Sequence, residues 1–112
     1  MDDTYLPHID IAEGKKRVMG NLKLYVALLN KFNLREMHDE LQAAMAGTDF
    51  KRVTARAHAL RGAAGNMSLP TLHSIAGEIE GLAKQGQSSA HLLAKLNGTV
   101  NAVEENIRRL SQ

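Results

Sequence analysis

The sequence predicts an all-α fold: an antiparallel up-and-down four-helix bundle with a short additional N-terminal helix. Apolar residues recur at helical spacing along the chain, and no stretch shows the strict alternation of a half-buried strand. Only two prolines interrupt the 112 residues. Amphipathic helices joined by short turns bury their apolar stripes together as a bundle. Because this length fits one core rather than two, we expect a single domain over residues 1–112.

The first two predicted helices are marked by capping residues. Asp10 suits the N-cap of a short helix that runs through Met19 and ends at Gly20. Asn21 suits the N-cap of the next helix, whose apolar spacing drifts near Asn33 and then continues. We therefore expect one long helix that bends near Asn33. Its apolar residues are Tyr25, Leu28, Leu29, Phe32, Met37, Leu41, Ala44 and Met45.

The next predicted helix covers residues 50–67 and contains His58. Either Thr48 or Asp49 suits its N-cap. Five apolar residues fall within about 40° of one line in helical projection, so they define the stripe that this helix buries. They are Val53, Ala57, Leu60, Ala64 and Met67.

Two more helices complete the predicted bundle. Ser68 suits an N-cap and is followed by Pro70, which is tolerated in a first helical turn. The next turn covers residues 85–89, and the last helix runs over residues 89–110. Each helix carries an apolar stripe. The first stripe consists of Leu72, Ile75, Ala76, Ile79 and Ala83, and the second of Leu92, Leu96, Val103, Ile107 and Leu110.

The histidine helix carries two glycines, Gly62 and Gly65, close to His58. An interior glycine costs roughly 1 kcal/mol relative to alanine, so we expect the bare backbone to permit the close approach of a partner. In projection, Arg61, Gly65, His58 and Gly62 lie about 80°, 120°, 140° and 180° from the buried stripe. One exposed flank therefore carries an imidazole, a guanidinium one turn later and two missing side chains.

The chemistry of this flank suits phosphoryl transfer. Neutral imidazole is a nucleophile near pH 7 and forms covalent intermediates. Arg61 follows His58 by three residues and can reach the same side, where its fork of N–H donors suits phosphoryl oxygens. The alternative readings are that a solvent-facing histidine is only a polar surface residue and that the glycines only permit tight helix packing.

Residues 58–66, which read His-Ala-Leu-Arg-Gly-Ala-Ala-Gly-Asn, resemble the signature of histidine-containing phosphotransfer domains. In that signature a lysine follows the histidine by three residues and precedes a glycine and small residues. The similarity extends upstream over residues 6–14 and 20–32, and downstream to an apolar spacing that ends near Glu80. It therefore covers nearly the whole chain.

The resemblance implies a part in bacterial two-component phosphorelays. His58 would accept a phosphoryl group from the aspartate of a receiver domain and pass it to another receiver. Arg61 would stabilise the phosphoryl group, and Gly62 and Gly65 would lie at the partner surface. Such a protein carries a phosphohistidine intermediate and is not an enzyme. The resemblance also implies receiver domains or a hybrid sensor histidine kinase as partners, with magnesium supplied by the receiver and no cofactor in this chain.

This chain departs from the family pattern at two places. Arg61 stands where the family usually has lysine, and the two cations differ in reach and donor geometry although the positive charge is kept. The connection between Phe32 and Phe50 is also slightly shorter than is usual in the family. The first departure concerns the transfer rate and the choice of receiver, and the second concerns one end of the bundle.

Composition argues against several other classes of protein. The chain has no cysteine, which excludes disulfides, thiol nucleophiles and cysteine-based metal sites. Fourteen basic residues are scattered against twelve acidic ones without an aromatic platform, so nucleic-acid binding is not expected. No run approaches the roughly 18 apolar residues of a membrane span, and residues 1–4 are acidic and lack an apolar signal region. We expect a cytoplasmic monomer with no membrane partner.

Metal binding and two-carboxylate catalysis are not expected either. The histidines other than His58 are dispersed, and none forms an i, i+4 pair with another histidine or an E-x-x-H arrangement. Glu78 and Glu80 point to different helix faces, so they do not form an acid–base pair. The dispersed histidines are His8, His38, His73 and His91.

Two alternatives to a phosphorelay intermediate stay open at the level of sequence. One is a bundle of the same fold that binds a receiver or a kinase as a docking module without being phosphorylated, and Arg61 is the residue that favours it. The other is a helical subunit of an unrelated assembly, in which Gly62 and Gly65 allow tight helix packing.

Overall fold

The computed structural model describes residues 6–112, and within that range every regular element is a helix, as predicted. The acidic residues 1–4 discussed above lie outside the described residues. In chain order, the elements are α1 (Ile11–Arg17), α2 (Leu22–Lys31), α3 (Leu34–Met45), α4 (Phe50–Asn66), α5 (Pro70–Lys84), a short 3-10 helix (Ala90–Leu92) and α6 (Leu93–Leu110).

The prediction of one long, bent helix after Asn21 is wrong. The backbone at Phe32 is extended, with φ of −68° and ψ of 126°, so α2 ends there. The amide of Leu34 donates to the carbonyl of Phe32 at 2.8 Å, and α3 begins at Leu34. The drift in apolar spacing near Asn33 marks this break. Asn33 precedes α3 without a side-chain cap bond.

Four helices enclose the main core. α4 packs extensively on α5 and also on α3, while α6 packs on both α5 and α3, so the contacts close a ring. α2 packs on α1 and α6. The predicted stripes of α5 and of the last helix are buried, apart from Leu110, which is half-buried. The largest fully buried side chains are Tyr25, Leu29, Leu41, Leu60, Leu69, Leu72, Ile75, Ile79, Leu96, Val100 and Val103.

Three of the predicted helix caps are confirmed. The side chain of Asp10 accepts the amide of the third residue of α1, and Asn21 does the same at the start of α2. Asp49, rather than Thr48, caps α4. Each bond satisfies an amide that has no partner inside its helix.

The prediction that Ser68 caps the next helix is wrong. Ser68 has a φ of 59°, and this left-handed conformation ends α4 instead of starting α5. Its hydroxyl donates to Glu13 at 2.9 Å, and its carbonyl accepts the amide of Asp10 at 2.8 Å. Leu69 precedes α5 without a side-chain cap bond. Ser68 therefore joins the α4–α5 turn to α1.

A glycine and a tyrosine fix the position of α1. Gly14 is buried, and a Cβ atom there would lie 2.1 Å from Cζ of Tyr25. The Tyr25 hydroxyl donates to the carbonyl of Met67 at 2.6 Å, beyond the end of α4. Burial, together with the charges of Asp10 and Glu13, raises the pKa of Tyr25 to about 12. In the part of the chain from residue 6 onwards, no helix is both long and apolar enough to cross a bilayer.

Candidate functional site

α4 buries one side and exposes His58 on another, as the helical projection predicts. Val53, Ala57, Leu60 and Ala64 are buried, while Met67 at the end of the stripe is half-buried. The side chain of His58 is 65% exposed. Its ring is therefore accessible to a partner while the backbone beneath it is held by the core.

A buried carboxylate from the neighbouring helix meets the His58 ring. The side chain of Glu80, on α5, is only 6% exposed, and its Oε2 lies 2.9 Å from His58 Nδ1. Its Oε1 lies 2.8 Å from Nε of Arg61, and Nζ of Lys84 lies 3.3 Å from Oε2. Three basic groups therefore surround one acidic group, and α4 and α5 are joined at this point.

The hydrogen bond to Glu80 decides which nitrogen of His58 carries the proton. A carboxylate only accepts, so Nδ1 is assigned the hydrogen and donates it to Glu80. Nη2 of Arg61 also lies 3.3 Å from Nδ1. Both nitrogens are donors in this tautomer, so they do not form a hydrogen bond with each other. In the neutral ring, the lone pair is then on Nε2. The nucleophilic nitrogen is the one that points away from Glu80.

The carboxyl group of Glu80 is stabilised as an anion. Burial by itself raises the pKa of a carboxyl group, because the charged form is desolvated. The hydrogen bonds with His58 and Lys84 and the charges of Arg61 and Lys84 outweigh burial, so the pKa of Glu80 lies below its usual value. Glu80 is therefore ionised at neutral pH and can hold a proton donor at His58.

Arg61 lies beside His58, as predicted, but its guanidinium is already paired. Nε bonds Glu80, and Nη2 lies near His58, so the fork spans the two residues. The side-chain stem passes α5 at Gly77, where a Cβ atom would lie 3.4 Å from Cδ of Arg61. The side chain is 39% exposed, and the guanidinium is thus held in place at the edge of the site.

The two glycines differ in their surroundings. Gly62 is exposed, and a Cβ atom there would have no heavy atom within 4 Å. At Gly65 a Cβ atom would lie 3.2 Å from Nδ1 of His73, which donates to the carbonyl of Arg61 at 2.9 Å. Gly65 therefore has an internal neighbour that Gly62 lacks, and the place of both glycines at a partner surface stays a prediction.

A groove adjoins His58 between α4 and α5. It has a volume of about 670 Å³ and is lined by small or apolar side chains, including Phe50, Ala55 and Ala83. Lys51 and Lys84 provide its positive charge. A partner that approaches His58 thus meets a groove that has both apolar and basic side chains in its lining.

Glu80 is the site residue that the sequence reasoning missed. The sequence indicates Glu80 only as the end of an apolar spacing that resembles the family pattern. It also predicts that Glu78 and Glu80 lie on different helix faces, and Glu78 is indeed exposed whereas Glu80 is buried. Two signals mark Glu80 in the sequence. It directly follows Ile79 within a buried stripe, and Lys84 follows it at i+4. An acidic residue inside an apolar stripe requires a partner from another helix.

Metal-binding groups do not cluster in residues 6–112: no three histidine, aspartate or glutamate side chains of that range are arranged to hold a metal ion. The other histidines serve separate contacts. His38 is buried between α3 and α6, where it contacts Asp39 and Asn97, and His73 packs on Gly65.

The structure is that of a helical protein in which an exposed histidine of α4 contacts a buried carboxylate of α5. The family model of the Hpt domain matches residues 31–112, and the chain therefore belongs to the Hpt domain family. α1 and all but the last residue of α2 precede the matched residues. A search of curated proteins and a search of solved structures found no match.

Membership of this family gives the general function. Hpt domains carry phosphoryl groups in two-component signalling, and they are carrier modules rather than conventional enzymes. They interact with receiver domains and kinases.

Proposed function

We propose that this protein is a phosphorelay intermediate in which His58 accepts a phosphoryl group from the aspartate of one receiver domain and passes it to the aspartate of another. The observation that supports this most directly is the 2.9 Å contact between Nδ1 of His58 and the buried carboxylate of Glu80. In the neutral ring this contact leaves the lone pair on Nε2, which is then the nucleophile.

The transfer step balances with the groups present. The Nε2 lone pair of His58 attacks phosphorus, the N–P bond forms, and the O–P bond to the receiver aspartate breaks to release its carboxylate. Nδ1 keeps its proton, so the phosphorylated ring carries a formal positive charge. Glu80 offsets that charge across its hydrogen bond. Transfer to the second receiver reverses these steps with a new aspartate.

Arg61 is proposed to stabilise the transferring group. Phosphoryl transfer depends mainly on positioning and on compensation of charge at the phosphoryl oxygens. With Nε held by Glu80, the remaining N–H groups of Arg61 are oriented beside His58 and available to those oxygens. Arginine in place of the family's lysine therefore retains a fixed positive charge at the site.

The approach of the receiver is proposed to use Gly62 and the groove between α4 and α5. Gly62 leaves bare backbone one turn from His58, and His58 itself lines the groove. We expect the magnesium ion to be bound by acidic residues of the receiver, so this chain requires no cofactor of its own.

The proposal includes the architecture and the setting of the protein. The ring of contacts among α3, α4, α5 and α6, joined by short connections, supports an antiparallel up-and-down four-helix bundle with α1 and α2 attached to it. We propose that residues 1–112 form one domain, and that the protein acts as a cytoplasmic monomer because a monomer leaves the His58 face accessible.

The test is transfer from phosphorylated receivers of the same organism. Wild-type protein should acquire an acid-labile phosphate, and His58→Gln should acquire none while staying folded. His91→Gln is a matched control, because His91 is also exposed but lies in the 3-10 helix before α6. It should be labelled like wild type.

Two other outcomes would replace the proposal. If wild-type protein binds a receiver but takes no phosphate from any of them, the protein is a docking module of the same fold. If it neither binds nor is labelled, the alternative of a helical subunit in another assembly is favoured.

A further inference from the structure

We propose that the turn between α1 and α2 binds the surface of an anionic lipid bilayer, with Met19 entering the bilayer and basic side chains contacting the phosphate groups of the lipids. We call this surface the α1–α2 tip and define it by Lys15, Lys16, Met19, Leu22 and Leu24. The inference does not depend on phosphoryl transfer at His58.

The exposed apolar side chains of the described residues are concentrated at this tip. In residues 6–112, the large hydrophobic side chains that are exposed are Met19, Leu22 and Leu24, at 97%, 39% and 44%. Single exposed apolar residues are ordinary on a protein surface. Here all three fall within six residues of the sequence, at the α1–α2 turn and the first turn of α2, and concentrated exposed apolar area marks interaction sites.

Met19 is unfavourable at its position in the isolated protein. Its φ of 58° is left-handed, a conformation that methionine adopts at a cost in free energy and that glycine or asparagine adopts readily. Gly20 follows with a φ of 82°, so the turn itself already uses a glycine where it needs one. A methionine that is both strained and 97% exposed contributes little to this fold, which indicates a role outside it.

The charge around Met19 identifies an anionic partner. The cavity of about 460 Å³ beside Met19 is lined by Lys15 and Lys16 together with Ala12 and Gly20. Residues 11–24 contain four basic residues and one acidic residue, whereas the whole chain has a net charge of only +2. Juxtaposed lysines and apolar side chains are the features by which peripheral proteins bind anionic bilayers.

The shape of the tip favours a bilayer over a folded protein as the partner. A side chain that is 97% exposed protrudes, and a bilayer accommodates a protruding apolar group without a preformed pocket.

This inference revises the prediction that membranes are not partners. It is compatible with helices that do not span a bilayer, because the proposed contact is confined to the lipid surface. The residues of the tip also precede the part of the chain that matches the Hpt domain model, which begins at residue 31.

The test is co-sedimentation of the full chain with large vesicles at low ionic strength. We expect binding to vesicles of phosphatidylglycerol and phosphatidylcholine, no binding to phosphatidylcholine alone, and weakening as salt is added. Met19→Asn suits a left-handed backbone and should fold at least as stably as wild type, but it should bind more weakly by about tenfold.

A charge reversal tests the basic part of the tip. Lys15→Glu with Lys16→Glu should lower binding by at least about tenfold. Arg108→Glu with Arg109→Glu is the matched control, because it makes the same change in net charge on α6 and should bind nearly as well as wild type. Absence of wild-type binding to the anionic vesicles, or equal binding by Met19→Asn, would overturn the proposal and leave a protein partner as the occupant.

Discussion

Glu80 is a buried carboxylate that contacts an imidazole, a guanidinium and an ammonium group. These contacts lower the pKa of Glu80 in the folded protein. The ionised carboxylate therefore stabilises the fold fully at pH values above the pKa that Glu80 has in the unfolded chain. That contribution is lost as the pH falls through the lower, folded-state pKa. At neutral pH Glu80 is ionised, and the tautomer of His58 depends on its carboxylate.

The variant Glu80→Gln tests this dependence. An amide compensates the ring charge poorly and can present a donor instead of an acceptor, so we expect the rate of phosphoryl transfer to fall by about tenfold or more. NMR of the ring nitrogens of His58 should show a larger population with hydrogen on Nε2.

Glu78→Gln is the control for that experiment, because Glu78 is exposed two residues earlier on α5. It should transfer at the wild-type rate. Equal rates for Glu80→Gln and Glu78→Gln would show that the buried carboxylate does not assist His58.

Gly62 offers a second test at the scale of one residue. A Cβ atom there has no heavy atom within 4 Å and leucine favours the helix, so Gly62→Leu should raise stability by up to about 1 kcal/mol. It should nevertheless slow transfer, because the side chain would occupy the space needed by a receiver. Gly98→Leu, at another exposed and open glycine on α6, should gain similar stability and keep the wild-type rate. Chemical denaturation and transfer assays measure both effects, and unimpaired transfer by Gly62→Leu would argue against this approach.

The exposed members of the site were predictable, and the buried one was not. His58 and Arg61 lie on one helix, where residue spacing fixes their relative direction. Glu80 is 22 residues from His58 and on another helix, so its contact depends on how α4 and α5 are paired. The same limit applies to Gly65, whose neighbour His73 comes from α5.

At the scale of helices, the attachment of α1 depends on the absence of a side chain at Gly14. An added methyl group would overlap the ring of Tyr25, which is itself tied to Met67. We expect Gly14→Ala to destabilise the protein by about 1 to 3 kcal/mol in urea denaturation. Gly98→Ala should be neutral or stabilising, by up to about 1 kcal/mol. A Gly14→Ala protein as stable as the Gly98→Ala control would contradict the packing of α1 on α2.

Tyr25 gives this attachment a dependence on alkaline pH. An unfolded tyrosine loses its proton near pH 10, whereas the folded pKa is about 12. Between these values unfolding releases a proton, so stability should fall as the pH rises from about 10 to about 12. Tyr25→Phe should show a shallower decline over the same interval, although its stability at neutral pH is lower because the Met67 carbonyl loses its donor. Equal slopes for the two proteins would contradict a buried, protonated Tyr25.

Some helix boundaries can be predicted from the sequence, and others cannot. Asp10, Asn21 and Asp49 cap locally, within three residues, and their sequence positions identify them. The separation of α2 from α3 was expected only as a bend, because apolar spacing records which residues are buried and not whether the backbone between them is helical. Ser68 was misassigned because its partner, Glu13, lies 55 residues away.

At the scale of the molecule, the ring of α3, α4, α5 and α6 supports a reactive histidine that is itself outside the core. Because His58 is exposed, its side chain contributes little to the core, and the buried residues of α4 stabilise the fold. The α1–α2 tip is proposed as a second interaction surface, and its residues are other than those that surround His58.

The location of the phosphoryl group after transfer tests whether His58 is phosphorylated at Nε2 while Glu80 holds Nδ1. The wild-type protein is phosphorylated by a receiver, kept at neutral or alkaline pH, and analysed by mass spectrometry and by NMR of the ring nitrogens. We expect one phosphoryl group per chain, on Nε2 of His58, with Nδ1 still protonated and bonded to Glu80. A phosphoryl group on Nδ1, or on any residue other than His58, would contradict it.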